Sequence, residues 1–119
     1  MFKIASNPLG TIDVTREAAE TIAGLAAVDC YGLVGMVPRK FADGLTEILG
    51  KESVRKGVEV TESEEGMVVD VFVVVSYGIK ISEVALNVMQ KIRYVMREIT
   101  GLNVARVNVN VQSVRVSKE

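Results

Sequence analysis

The sequence contains no histidine, no tryptophan and only one cysteine, and each absence narrows the chemistry open to the protein. Without histidine, the chain lacks the side chain that most often acts as a general base near neutral pH. One cysteine without histidine cannot supply the usual zinc ligand sets. A single thiol also cannot form an intramolecular disulfide, and it fits a reducing compartment. We therefore expect a cytoplasmic protein that is not an enzyme and that needs neither metal nor cofactor.

Long hydrophobic runs and an excess of one charge are also missing. The densest apolar run, residues 67–75, is short and contains Asp70, so no transmembrane segment is predicted. The first residues reach Pro8 before the apolar stretch of a signal peptide could form. With 14 basic and 15 acidic side chains the net charge is −1, which provides no general attraction to nucleic acid or anionic lipid. Nucleic-acid binding is not expected, and contact with the membrane surface would require a partner.

The residues that are present predict one globular domain over residues 1–119. Hydrophobic residues make up 49% of the chain and charged residues 24%, which suits a domain with its own core. Periodicity and turn residues predict strand 10–14, helix 16–28 after an N-cap at Thr15, strand 31–37, a short helix around 39–50, hairpin strands 58–63 and 67–77, helix 82–100 and strand 107–111. This order predicts an α/β (α+β) two-layer sandwich, in which two main helices cover one face of a mixed sheet of about four or five strands.

The same patterns predict which side chains are buried and where the chain bends. The first helix should bury Ala18, Ala19, Ile22, Leu25 and Ala26, and the second should bury Ala85, Val88, Met89, Ile92, Val95, Met96 and Ile99. A left-handed Gly101 should end the second helix, and a bulge near residues 112–113 should return Val114 and Val116 to the core. Both strand-helix-strand units are expected to cross over right-handedly.

The segment around residues 41–49 is the first candidate interaction element. Phe41, Leu45, Ile48 and Leu49 recur at helical spacing, and the basic residues around them slightly outnumber the acidic ones. One interpretation is a helix that docks onto an acidic partner or an anionic membrane surface. The other is a lid over the apolar second face of strand 67–77, where Val68, Phe72 and Val74 are too hydrophobic to be left bare.

A row of uncharged amides on the last predicted strand is the second candidate. Asn108, Asn110 and Gln112 point to one face, with Arg106 beside them. Neutral polar strands suit protein assembly because little charge must be desolvated. The same row could equally be an ordinary hydrated sheet face, and the pattern leaves both readings open.

The remaining candidates favour structural roles. Residues 32–35 match the GxxG pattern of KH domains, and with Lys91, Arg93 and Arg97 they define an alternative RNA-binding hypothesis. The two middle residues are apolar, however, and no basic residue adjoins them, which favours structural glycines. Cys30 is expected to be a packed thiol, and the acidic residues 59–65 a solvated hairpin tip.

Four stretches in order carry a family resemblance: G-T-I at 10–12, Y-G-L-V-G-M at 31–36, Y-G-I-K-I-S-E-V-A at 77–85 and T-G-L-N-V-A-R-V-N-V at 100–109. Together they resemble the bacterial alkaline-shock and general-stress (envelope stress response) family in its short cytoplasmic form. The resemblance implies a non-enzymatic protein, self-association, and a partner that is either a membrane-anchor protein or a kinase acting on dihydroxyacetone or fatty acids. We expect a scaffold or adaptor that self-associates and docks to a protein, in the cytoplasm or peripherally at the membrane.

Overall fold

A computed structural model describes residues 2–38 and 48–116, without the side chains of Lys51 and Glu52. The strands are β1 Phe2–Asn7, β2 Gly10–Val14, β3 Leu33–Met36, β4 Val58–Ser63, β5 Gly66–Ser76 and β6 Val104–Arg115. The helices are α1 Arg16–Val28, a 3₁₀ helix Lys51–Gly57, and α2 Ile81–Val95, which continues into a π-helical turn Met96–Thr100. Most of the short helix expected around residues 39–50 lies outside the described residues.

Strand β5 is the centre of a four-stranded mixed sheet. Strand β4 pairs antiparallel with residues 66–71 of β5, and β3 pairs antiparallel with residues 73–75. Strand β6 pairs parallel to β5 over residues 67–76. Because β3 and β4 occupy successive stretches of one edge of β5, β6 lies on the other edge. Helix α1 packs on β3 and β4 and α2 packs on β6, so the predicted two-layer α+β sandwich is confirmed.

The face of β5 towards the helices forms the core, as the alternating pattern predicts. Its buried side chains are Met67, Val69, Val71, Val73 and Val75. On the second face Val74 is also fully buried, and it pairs with Gly35 of β3. A Cβ atom on Gly35 would collide with Ile48, and the Leu49 N–H donates to the carbonyl oxygen of Met36 at 2.8 Å. Ile48 therefore covers the β3 end of the second face, which agrees in part with the expected lid, whereas the Leu49 side chain packs against the core.

The N-terminal strand pair departs from the predicted topology. Strand β2 was predicted, but it pairs with β1, which the sequence patterns missed, in a separate two-stranded antiparallel sheet. The Asn7 side chain accepts a hydrogen bond from the Leu9 N–H at 2.8 Å and closes the turn between the two strands. Because β2 forms its strand hydrogen bonds within this local hairpin and not with the main sheet, the expected crossover from β2 to β3 within one sheet is wrong.

Helix α1 begins as predicted, and Ala19 and Ala26 are buried and Ile22 packs against the core as expected, but the rest of its buried face differs. Thr15 is the N-cap, and its hydroxyl accepts from the Ala18 N–H at 3.1 Å. Ala18 and Leu25 are exposed, contrary to expectation, and the buried positions are Ala19, Glu20, Ala23, Gly24, Ala26 and Ala27. The small residues face inward because the helix approaches the 3₁₀ helix closely. A Cβ atom on Gly24 would lie only 2.8 Å from Cγ2 of Val54.

Helix α2 follows its predicted stripe until its last turn. Val88, Ile92 and Met96 are fully buried, whereas Ile99, predicted to be buried, is 66% exposed. The chain widens into the π-helical turn over Met96–Thr100, and Thr100 takes the buried place. A π turn inserts one residue into the helical repeat, which shifts the buried position from 99 to 100. Gly101 then ends the helix with a φ of 77°, as predicted.

The bulge expected near residues 112–113 is present in β6. Val73 pairs with Val111 and Val74 pairs with Ser113, which leaves Gln112 as the extra residue. A second bulge, at Ala105, separates the pairs Met67–Val104 and Val68–Arg106. The first bulge returns Val114 to the side of Val111, but Val114 is 44% exposed and Val116 is 66% exposed. Val114 therefore returns to the predicted face but is not buried there, where it lines an open cavity of about 430 Å³. The predicted return of Val116 to the core is wrong, because this residue lies beyond the end of β6 and is exposed.

The contact between α1 and the 3₁₀ helix predicts a stability effect. Replacing Gly24→Ala should lower the free energy of unfolding by about 1 kcal/mol, since overpacking against Val54 outweighs the gain of about 1 kcal/mol in helix propensity. In urea denaturation, Gly24→Ala combined with Val54→Ala should lose about 1 kcal/mol less than the sum of the two single losses. Strictly additive losses would contradict the close approach.

Candidate interaction surfaces

The face of the sheet opposite the helices carries most of the predicted amide row. We call this surface the open face; its described members include Glu59, Thr61, Val68, Asp70, Phe72, Arg106, Asn108 and Asn110, all exposed or half-buried. It combines aliphatic and aromatic side chains with neutral amides. Its acidic members Glu59 and Asp70 pair across the ladder, and Asp70 pairs with Asn108 on its other side.

Two asparagines of β6 are tied to β5. The Asn108 amide donates to Oδ1 of Asp70 at 2.9 Å, and the Asn110 amide donates to the carbonyl oxygen of Val71 at 3.3 Å. The first bond is charge-assisted and offsets part of the carboxylate charge. The amide row therefore comes together along β6, with Arg106 and Gln112 exposed at its two ends. Its use as an interaction surface stays a prediction.

The other predicted interaction residues fall into two groups. Phe41 and Leu45 lie outside the described residues. Ile48 and Leu49 are half-buried, and they contact β3 as the preceding subsection describes. At these two positions the structure shows packing against the rest of the domain. A docking role for the segment as a whole stays a prediction.

The outer edge of β6 is a further feature of this surface. Among the described residues β6 pairs only with β5. At its beginning, an Nη2 atom of Arg93 donates to the carbonyl oxygens of Val104 at 3.0 Å and Ala105 at 3.2 Å. The part of the edge that Arg93 covers thus ends at the bulge at Ala105. On the opposite side of the sheet, Glu20 of α1 accepts a hydrogen bond from the Val60 N–H at 3.4 Å.

One end of the domain presents two exposed tyrosines that the sequence analysis did not identify as a site. Tyr31 is 85% exposed and Tyr77 is 73% exposed. The Ser76 N–H donates to the Gly32 carbonyl oxygen at 3.1 Å, which places the two tyrosines beside a bonded pair of strands. Exposed Ile81 and Val114 adjoin them. We call this surface the tyrosine end; the signal in the sequence was a Tyr-Gly pair at the start of β3 and another after β5.

The basic residues of the RNA-binding hypothesis do not converge. Arg93 and Arg97 line an open cavity of about 310 Å³ beside Tyr94. Lys91 lines a different groove, between α1 and α2, together with Leu25 and Ile99. Gly35 lies within β3 beneath Ile48. Residues 32–35 therefore form a turn and a strand instead of a loop between two helices.

Cys30 is a half-buried thiol at the end of α1. Its Sγ atom donates to the Ala26 carbonyl oxygen at 3.7 Å, and the side chain packs against the core. Burial raises the pKa of the Cys30 thiol, Asp29 adds to the rise, and the positive charge of Lys91 opposes it. A raised pKa reduces the thiolate fraction, and the thiolate is the nucleophile. The surroundings of Cys30 therefore favour a packed side chain.

Residues 2–38 and 48–116 contain neither a cluster suited to a metal ion nor a helix suited to span a membrane. No group of three or more Asp, Glu or Cys side chains there is arranged to hold a metal ion. Among the helices in these same ranges, none is long and apolar enough to cross a membrane.

Comparisons with known proteins give one consistent result. Residues 5–116 match the ASP23 (alkaline-shock) family, described as having a cell envelope-related function. The chain is 50% identical to the uncharacterised Bacillus subtilis protein YloU over 91% of both chains. It is 34% identical to the uncharacterised B. subtilis protein YqhY, over 90% of this chain and 78% of that one. No solved structure gave a significant match.

A more distant relative carries a functional name. The chain is 26% identical to a Streptococcus pyogenes protein named as a stress response regulator gls24 homolog, over 92% of this chain. The match spans 62% of that longer relative. The resemblance read from the four sequence stretches is thereby confirmed.

The Asp70–Asn108 hydrogen bond predicts a charge-dependent stability. Asn108→Asp should lower the free energy of unfolding by about 1–2 kcal/mol, because a donor is replaced by a second carboxylate. Exchanging the two residues, with Asp70→Asn and Asn108→Asp together, should recover most of the loss in urea denaturation. Salt should reduce the deficit of the single variant. An exchange no more stable than the single variant would contradict the pairing.

The environment of Cys30 predicts slow thiol chemistry. In the folded protein, reaction with a disulfide reagent should be slow at neutral pH and should accelerate only above the ordinary pKa of a thiol, because burial disfavours the thiolate. Absorbance of the released reagent measures the rate. The protein unfolded in urea is the control and should react faster at each pH. Equal rates in both states near neutrality would overturn this reading.

Proposed function

Because the chain belongs to the ASP23 (alkaline-shock) family of stress-related proteins with a cell envelope-related function, we propose that it is a non-enzymatic scaffold or adaptor. It acts by associating with further copies of itself and by docking to a protein partner. The partner class suggested by the family resemblance is a membrane-anchor protein or a kinase acting on dihydroxyacetone or fatty acids. Its proposed location is the cytoplasm or the cytoplasmic face of the membrane.

The observation that carries the proposal is the low charge of the open face along β6. Between Arg106 and Arg115 the strand has no charged side chain, and the nearby Asp70 is hydrogen-bonded to Asn108. A partner that covers the part of this surface along β6 would have to desolvate amides and aliphatic groups and one carboxylate, Asp70, that is already bonded. Protein interfaces are depleted in charge at their centres for the same reason.

Docking to a second protein is supported by the tyrosine end. Tyrosine combines a large apolar ring with a hydroxyl that can bond at a wet rim, and it is enriched at protein interfaces. Tyr31 and Tyr77 are held on short, glycine-containing turns, with Gly32 at a φ of 88° and Gly78 at 97°. Such turns fix the backbone while leaving the rings outward, which suits a surface with a defined shape.

The non-enzymatic part of the proposal rests on the chemistry of the side chains. The sequence has no histidine, and burial raises the pKa of its one thiol, Cys30. The half-buried carboxylate of Asp70 accepts a hydrogen bond from the Asn108 amide. These groups lack the activation that nucleophilic or general-base catalysis requires.

Self-association is testable with one pair of variants. Light scattering after size-exclusion chromatography should show a mass that rises with protein concentration. Asn110→Arg should weaken association roughly tenfold, because a charge is added to a neutral contact. Gln90→Arg, on the exposed side of α2 and with the same change in net charge, is the control and should have no effect. A strictly monomeric protein at high concentration, unchanged by Phe41→Ala with Leu45→Ala, would overturn the proposal.

A further inference from the structure

We propose that self-association occurs by antiparallel pairing of β6 with β6 of a second copy, about a two-fold axis at Val109. The inference rests on the proposed function, since it names the contact by which the scaffold associates with itself. The pairing would join the two sheets into one continuous sheet, with both helical layers on the same side.

The outer edge of β6 is long, and between its two bulges it lacks the usual devices that prevent pairing. The strand has 12 residues and contains neither proline nor lysine. An edge strand of this kind offers a row of backbone donors and acceptors to another strand. The opposite edge of the sheet differs, because the Val60 N–H already donates to Glu20 of α1.

The two bulges limit which part of the edge can pair regularly. Ala105 and Gln112 are the extra residues relative to β5, so β6 is a regular strand between them. Arg93 occupies the carbonyl oxygens of Val104 and Ala105, just before that stretch. The available regular segment is therefore residues 106–111, and Gln112 adjoins its end.

The sequence of this segment is self-complementary. Residues 107–111 read V-N-V-N-V in both directions, so an isologous two-fold contact centred on this segment places residues of the same type opposite each other. With the axis at Val109, Val107 lies opposite Val111 of the second copy, and Asn108 lies opposite Asn110. Residues directly opposite share a face of the sheet, so valines meet on the helix side and asparagines on the open face.

Other registers lose this match. A shift of one residue places asparagine opposite valine and inverts the faces. An axis at Asn110 pairs Asn108 with the bulge residue Gln112, and an axis at Asn108 leaves Val111 without a partner and places Arg106 opposite Asn110. At the Val109 register, Arg106 lies opposite the neutral Gln112 of the second copy at each end of the contact. No like charges are therefore opposed.

The pair Arg106–Gln112 supplies a test in which the sign of the effect is informative. Gln112→Glu should tighten association and Gln112→Arg should weaken it, each by about two- to thirtyfold, because two symmetric cross-strand pairs change at once. Net charge alone predicts the reverse, since the chain carries −1 and Gln112→Arg brings it to neutrality. Dissociation constants from sedimentation equilibrium measure both variants.

The matched control is Gln90, which is exposed on α2. Gln90→Glu and Gln90→Arg change the net charge in the same ways and should leave association unchanged. Raised salt should shrink the difference between the two Gln112 variants. Shifts of the same sign for both Gln112 variants, or shifts equal to those at Gln90, would overturn the pairing.

A cross-linking experiment checks the register directly. In a Cys30→Ala background, protein with Arg106→Cys is mixed with protein with Gln112→Cys, and a short bismaleimide is added. The mixture should give covalent dimers, whereas each variant alone should not, because two copies of residue 106 would lie roughly 20 Å apart along an antiparallel pair. Equal yields of covalent dimer in the mixture and in the separate variants would contradict the Val109 register.

The two levels of the proposal fail differently. If the protein self-associates but the Gln112 variants and the mixed cross-link show no response, the β6 pairing is wrong and self-association stands. If the wild-type protein is monomeric at every concentration, both are wrong.

Discussion

The pairing of β5 on both of its edges is the constraint on which the rest of the main sheet depends. Among the described residues, β3, β4 and β6 each pair with no strand other than β5. Val69, Val71, Val73 and Val75 of β5 are buried beneath the two helices. Because successive side chains of a strand point to opposite faces, burying these valines also directs Asp70 and Phe72 to the open face. The core and the candidate surface are thus two consequences of one strand.

The proposed function depends on the fact that the two main helices cover only one face of the sheet. Helices α1 and α2 pack on the same side of the sheet, so the side chains of β6 that point away from them remain available. Asn108 binds the carboxylate that β5 brings to that face, which leaves the part of the face along β6 with low charge. The chain belongs to a family with a cell envelope-related function, and we propose that this surface serves assembly in that function. The single thiol, with its raised pKa, adds nothing to suggest a reaction at this domain.

Local signals predicted several features correctly because each depends on neighbours in sequence. The Thr15 cap, the left-handed Gly101 and the bulge at Gln112 are of this kind. The errors arose where distant contacts decided the outcome. Leu25 is exposed because α1 turns its small residues towards Val54, and Ile99 is exposed because the π turn moves the buried position by one residue. The position of an interaction surface depends on more than one element, which is why the tyrosine end was missed.

The sequence by itself determined the element types, the alternation that buries one face of β5, and the family, because these are carried by residue order and short-range geometry. The tertiary structure alone decided that β2 pairs with β1, that Asn108 meets Asp70, and that Tyr31 and Tyr77 come together at one end. Residues 70 and 108 are far apart in the chain, and only the parallel register of β5 with β6 places them side by side. Local preferences carry no information about such a register, since it is set by pairing between two strands that α2 separates in the chain.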